Sequence, residues 1–133
     1  MYNQKVLDIF KNPINAGGLQ GANGVAKVTD ATFGDIVRIY LKIDDNTKII
    51  ENAKFKAMGG VTTIVVANVL CDLIKGKSID EINTITSEDI LQVISQLSEQ
   101  KMCLVSTLLE ALSSAVADYY KRKEREANNQ SKK

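Results

Sequence analysis

The chain has 133 residues, a net charge of +1, 44% hydrophobic and 25% charged residues, which suits one globular domain with a real core and gives no global drive toward nucleic acid or an acidic membrane. It contains no histidine, so Ser-His-Asp or Cys-His catalysis and histidine-ligated zinc are excluded within it. Its two cysteines, Cys71 and Cys103, form no disulfide framework, no stretch reaches about 18 uninterrupted apolar residues, and the start "MYNQKVLDIF" lacks signal-peptide features, so a cytoplasmic protein is the simplest expectation.

Tyr2, Val6, Ile9 and Phe10 fall on one face of a short helix that Asn12-Pro13 should end. "NAGGLQGANG" follows, crowded with glycine. It has neither GxGxxG between strand and helix nor a terminal GK[ST], so it reads as a loop and not a phosphate cradle.

"VAKVTD" (25–30) is a short strand and "DIVRIYLKID" (35–44) a clearer one. In the latter, Val37, Ile39, Leu41 and Ile43 alternate with Arg38, Tyr40 and Lys42, the period of a sheet with one solvated face. After a turn at Asp44-Asp45-Asn46, the returning strand should place Ile49, Ala53, Phe55 and Ala57 on one face and Asn52, Lys54 and Lys56 on the other.

Gly59-Gly60 then opens "VTTIVVANVLCDLI". Its β-branched residues favour a strand, while its length and the spacing of Val66, Leu70, Leu73 and Ile74 favour a buried helix. Both remain open; as a helix, Thr62 or Thr63 would cap it and Lys75-Gly76 would stop it. Ser78-Ile79-Asp80-Glu81 and Thr86-Ser87-Glu88-Asp89 are capping-box patterns that predict two helix starts. A last helix runs from about Lys101 into the 120s, with Val105, Leu108, Leu109, Leu112, Val116 and Tyr119 as its buried stripe. "KRKEREANNQSKK" is a charged end in which Glu124 and Glu126 dilute the basic residues. The predicted class is α+β: a three-stranded antiparallel sheet with helices on one face, an N-terminal helix and a long C-terminal helix.

The stretches "KVLDIFKNPINAG", "GDIVRIYLKI", "IIENAKFKAMGG", "LIKGKSIDEI" and "AVADYYKRK", in this order and spacing, resemble the IscU/NifU N-terminal family of iron–sulfur cluster assembly scaffolds. The resemblance implies a single domain over 1–124 and a charged, frayed tail over 125–133. It also implies a site where three cysteines from separate segments converge, completed by an aspartate beside the first and a histidine before the third. Here the first motif, A-C-G-D in the family, is Thr32-Phe33-Gly34-Asp35. The second, G-C-G, is Gly59-Gly60-Val61. The third, L-P-P-V-K-hydrophobic-H-C, is Leu97-Ser98-Glu99-Gln100-Lys101-Met102-Cys103-Leu104. Phe33, Gly60 and Leu104 therefore stand at the cysteine positions and Cys103 at the histidine, while Asp35 is kept.

The altered Leu97–Lys101 stretch lacks the prolines that would preset an extended peptide for a chaperone, so that binding is not expected. Asp35 and Cys103 are the remaining candidate metal ligands. Their alternative roles are a cap or turn residue and a half-buried apolar filler, as Lys101 is alternatively a solvated helix-end lysine. No resident cofactor is expected, iron, zinc or a [2Fe-2S] cluster through Asp35 and Cys103 being the alternative. The three segments are expected to leave a small apolar patch.

The resemblance thus implies a scaffold homologue with a degenerate ligand site, not an enzyme. It would be an accessory or regulatory partner of a cysteine desulfurase or an intact scaffold, with no nucleic acid or membrane partner. A repurposed apolar binding module, including a homodimer, is the alternative, and weak iron or cluster binding through Asp35 and Cys103 a second one.

Overall fold

The computed structural model describes residues 4–94 and 101–131. Helix α1 (Gln4–Lys11) leads into three strands, β1 (Gly24–Thr29), β2 (Ile36–Ile43) and β3 (Ile50–Met58), followed by helices α2 (Val61–Ile74), α3 (Ser87–Ile94) and α4 (Met102–Ser131). The strands form one antiparallel sheet in the order β1-β2-β3. This is the α+β layout that the pattern predicts.

Val37, Ile39, Leu41 and Ile43 of β2 are buried, and they are flanked in register by Val28 and Ala26 on β1 and by Ala57, Phe55 and Ala53 on β3. Helices α2 and α4 cover that side. Among the described residues no helix covers the opposite side. The expected stripe of β3 is corrected at one position: Ile49 is exposed at 37% and Ile50 is buried. A register shift at Lys42/Ile43 moves the inward position by one residue.

The segment 61–74 is helical, and its composition shows why periodicity left it open. Thr62, Thr63, Val65 through Cys71, and Ile74 are all buried. A helix buried over most of its circumference has too narrow a polar face to reveal a period of 3.6. It lies against β3, α1, α3 and α4.

Of the two capping boxes, the second opens α3, with Asp89 Oδ2 accepting from Thr86 N at 2.8 Å. The first makes only a turn, closed by Ser78 Oγ donating to Glu81 Oε1 at 3.2 Å, before a single 3-10 turn over Ile82–Thr84. A capping box satisfies the first amides but does not supply the length a helix needs to propagate.

Helix α4 packs its buried stripe, Val105, Leu108, Ala111, Leu112, Ala115 and Tyr119, against β1 and β2. Gly24 permits the approach, because a Cβ there would lie 2.6 Å from the Ala115 carbonyl oxygen. The charged segment after Glu124 belongs to α4 as far as Ser131, with solvated side chains through Asn129. By length and composition Met102–Asn129 is apolar enough to cross a membrane, and here its apolar stripe is part of the core.

The glycine-rich loop is held by one residue that the sequence pattern does not single out. Asn15 is 1% exposed. Its backbone N donates to Asn68 Oδ1 (3.0 Å), and its amide donates to Asn68 O (3.0 Å) and Asp72 Oδ1 (2.9 Å). Lys75 Nζ donates to its carbonyl oxygen. Removing such a group strands its buried partners. Asn15→Ala is expected to lower unfolding stability by about 2–3 kcal/mol in urea titration, several times the effect of an exposed loop substitution.

Candidate functional site

The three segments singled out by the sequence meet at one end of the sheet. Phe33 and Asp35 lie on the loop from β1 to β2, Gly60 is the residue at which α2 begins, and Cys103 and Leu104 are in the first turn of α4. Of the chaperone-type stretch, Leu97, Ser98, Glu99 and Gln100 lie outside the described residues, and Lys101 is described.

Asp35 links the first two segments. Its Oδ2 accepts from Thr63 Oγ1 at 2.5 Å and from Gly60 N at 3.4 Å. Neither Thr62 nor Thr63 caps α2: the cap position is Gly60, which has no side chain, and a carboxylate from another segment takes that place. Negative charge at this end also complements the helix dipole. Gly59 is required by the same contact, since a Cβ there would collide with the Asp35 carboxylate.

Asp30 fixes the shape of the loop that carries Phe33. Its Oδ2 accepts from Thr32 N (3.0 Å) and Phe33 N (2.7 Å), and its Oδ1 accepts from Thr107 Oγ1 (2.7 Å) on α4. The Thr107 hydroxyl and the Phe33 amide hold its carboxyl below the ordinary value of 3.8, outweighing the opposing effect of burial. Asp30 is 3% exposed. Its signal was present in the sequence, as an Asp followed two and three residues later by amides it can accept from.

Phe33 is 42% exposed, and Lys101 Nζ sits 4.9 Å from its ring centroid. Lys101 is thus half-buried against an aromatic face and not simply solvated. Leu104 is 1% exposed. The expected apolar patch is therefore divided: one member is buried, another is covered in part by an ammonium, and Gly60 offers no side chain. Cys103 is half-buried, and its carbonyl accepts from Thr107 Oγ1 at 3.1 Å. Cys71 is enclosed in α2, where burial pushes its thiol up to about 12, so it does not serve as a thiolate. Among the described residues no three His, Cys, Asp or Glu side chains cluster to hold a metal ion.

Two outcomes follow. Asp35→Ala is expected to cost about 1–2 kcal/mol in thermal or urea unfolding by removing the cap and stranding the Thr63 hydroxyl. Because the Asp30 carboxyl is depressed in the folded state, its stabilisation is complete above the ordinary carboxylate value and is lost as pH falls through the lower folded value. Stability measured between pH 5 and 2 should fall less steeply in Asp30→Asn than in the parent.

Comparison with known proteins agrees with this architecture. A model of the NifU-like N terminal domain matches residues 1–126. An iron-sulfur cluster assembly scaffold protein of Archaeoglobus fulgidus is 35% identical over 122 residues, covering 92% of this chain and 78% of that protein. The Escherichia coli scaffold protein IscU is 31% identical over 126 residues, covering 92% and 97%. The crystal structure of a NifU-like N-terminal protein from Brucella abortus superposes with a TM-score of 0.73 at 14% identity, covering 90% of this chain and 94% of that one. A structure from Fervidobacterium islandicum, described as a putative assembly scaffold for the SUF system, gives 0.68 at 19% identity, covering 86% and 95%. These two likenesses establish the fold, and the family model with the sequence relatives establishes the kinship: the chain belongs to the family of NifU-like N-terminal domains, the IscU-type iron–sulfur cluster assembly scaffold homologues.

Proposed function

We propose that this scaffold homologue no longer carries a cluster itself and acts instead as an accessory or regulatory partner in iron–sulfur assembly, engaging a cysteine desulfurase or an intact scaffold. The carrying observation is the donor set at the convergent end. An iron–sulfur cluster takes thiolates, and a tetrahedral zinc site takes four donors. Phe33, Gly60 and Leu104 offer none, and the Asp35 carboxylate is occupied with Gly60 N and Thr63. Cys103 is the one thiol of the third segment. Asp35 and Cys103 together do not make up a set fit for either cargo.

The frame around that end supports a retained role in docking. Asp30, Asp35 and Thr107 tie the three segments by protein–protein hydrogen bonds where bound metal would otherwise draw ligands together. A platform role without catalysis of its own is in keeping with the chain's lack of histidine. Two thiols outside any disulfide suit a cytoplasmic setting. A repurposed apolar binding module at this end draws less support, because Leu104 is buried and Phe33 lies beneath Lys101.

The expected results are these. Purified protein should retain a cysteine desulfurase or a three-cysteine scaffold of the same family in pull-down, and failure to retain either would remove the accessory reading. Thermal melts with EDTA and with added zinc should superimpose. Anaerobic reconstitution with iron and sulfide should give no visible sulfur-to-iron charge-transfer bands, and stoichiometric iron and sulfide in the product would overturn the proposal.

A further inference from the structure

The side of the sheet away from the helices carries a charge arrangement that neither the fold nor the convergent end requires. In register, Lys27 of β1 pairs with Arg38 of β2, and Arg38 pairs with Lys56 of β3. All three are exposed. Three cations therefore stand side by side on neighbouring strands, within about 10 Å at ordinary strand spacing. Directly opposed like charges on a sheet are destabilising. None of the ion pairs among the described residues involves these three.

The next row toward Gly59 is apolar on β2 and β3, with Thr29 at its β1 end. Ile36 pairs with Met58, which is 73% exposed. An open groove of about 580 Å³ includes Lys27, Arg38, Lys56, Ile36 and Met58, with Ala16 and Gly17 forming a wall at the β3 edge, round which it reaches Ile64 of α2. That wall is fixed, because Gly17 N donates to Phe55 O at 2.7 Å. The volume lies within the range of small-molecule sites.

From this pairing of a cation row with an adjoining apolar row, we propose that the groove binds a small amphipathic anion, its carboxylate or phosphate head over Lys27, Arg38 and Lys56 and its short apolar chain along Ile36 and Met58. The fixed wall and a volume in the small-molecule range favour a small ligand. The groove adjoins the Asp35 end, since Ile36 and Met58 neighbour Asp35 and Gly59 in the chain, but it uses none of the side chains of that end, and the inference does not depend on the accessory reading above.

The test uses the full chain and displacement of the dye anilinonaphthalene sulfonate, with octanoate, octyl phosphate, inorganic phosphate and octanol as competitors at constant ionic strength. Octanoate or octyl phosphate should displace the dye saturably, with the tighter of the two naming the head group. Inorganic phosphate and octanol should each be at least about tenfold weaker. The double variant R38Q/K56Q should weaken the amphiphile about tenfold, while K42Q/K54Q, with the same charge loss two and four residues along the same face, should change it little. Far-UV circular dichroism checks that both variants are folded. Equal competition by inorganic phosphate, equal loss in both double variants, or unchanged affinity in R38Q/K56Q would each overturn the site. Tighter binding of polyglutamate than of either amphiphile would also overturn it and reassign this face to an acidic protein surface.

Discussion

Helix α2 is buried along most of its length, and the first amides of any helix lack partners within it. Its own cap position is a glycine with no side chain to offer. The Asp35 carboxylate, from the loop between β1 and β2, supplies the missing group through Gly60 N and Thr63 Oγ1. The same loop is shaped by Asp30, which reaches Thr107 on α4. Two carboxylates thus fasten the start of α2, the sheet and the start of α4 into one end of the molecule. The candidate site is the surface of that fastening.

In this family a resemblance of the frame comes with an expectation about cargo, and under the function proposed above the two separate. The frame depends on burial and hydrogen bonds that these residues still make. The cargo depends on soft donors, and the positions that the resemblance assigns to them hold an aromatic ring, a bare backbone and a buried leucine. Those replacements change the physics of the apo state. Burying Leu104 contributes about 1.5–3 kcal/mol, whereas a cluster of thiolates would repel one another until metal neutralised them. The outer face of the sheet presents the reverse case, since its row of cations carries a repulsion that no described ion pair relieves.

The strands and α4 were legible because each has one wet and one dry side, so alternation in "DIVRIYLKID" and the Val105–Tyr119 stripe map directly onto burial. Helix α2 was not, because uniform burial erases the period. Ile49 was misplaced because a register shift cannot be seen in one strand alone. The candidate site was half legible. Phe33, Gly60, Cys103, Leu104 and Asp35 could be placed through motif order, but Asp35's partner Thr63 was read as a self-cap. Asn15 passed unnoticed, since its side-chain bonds reach across 53–60 residues, and of Asp30 only the bond to Thr107, 77 residues away, was beyond the local pattern, its bonds to the Thr32 and Phe33 amides being readable as a turn.

The Asn15 anchor separates two parts of the N-terminal region that look continuous in sequence. Helix α1 touches the core through the buried Val6 and the half-buried Ile9. The residue that follows it in the loop is riveted to the middle and end of α2 by four hydrogen bonds. The firm attachment of the N-terminal region therefore begins beyond the helix, at Asn15, whose carbonyl also holds the sheet edge by accepting from Phe55 N at 3.0 Å.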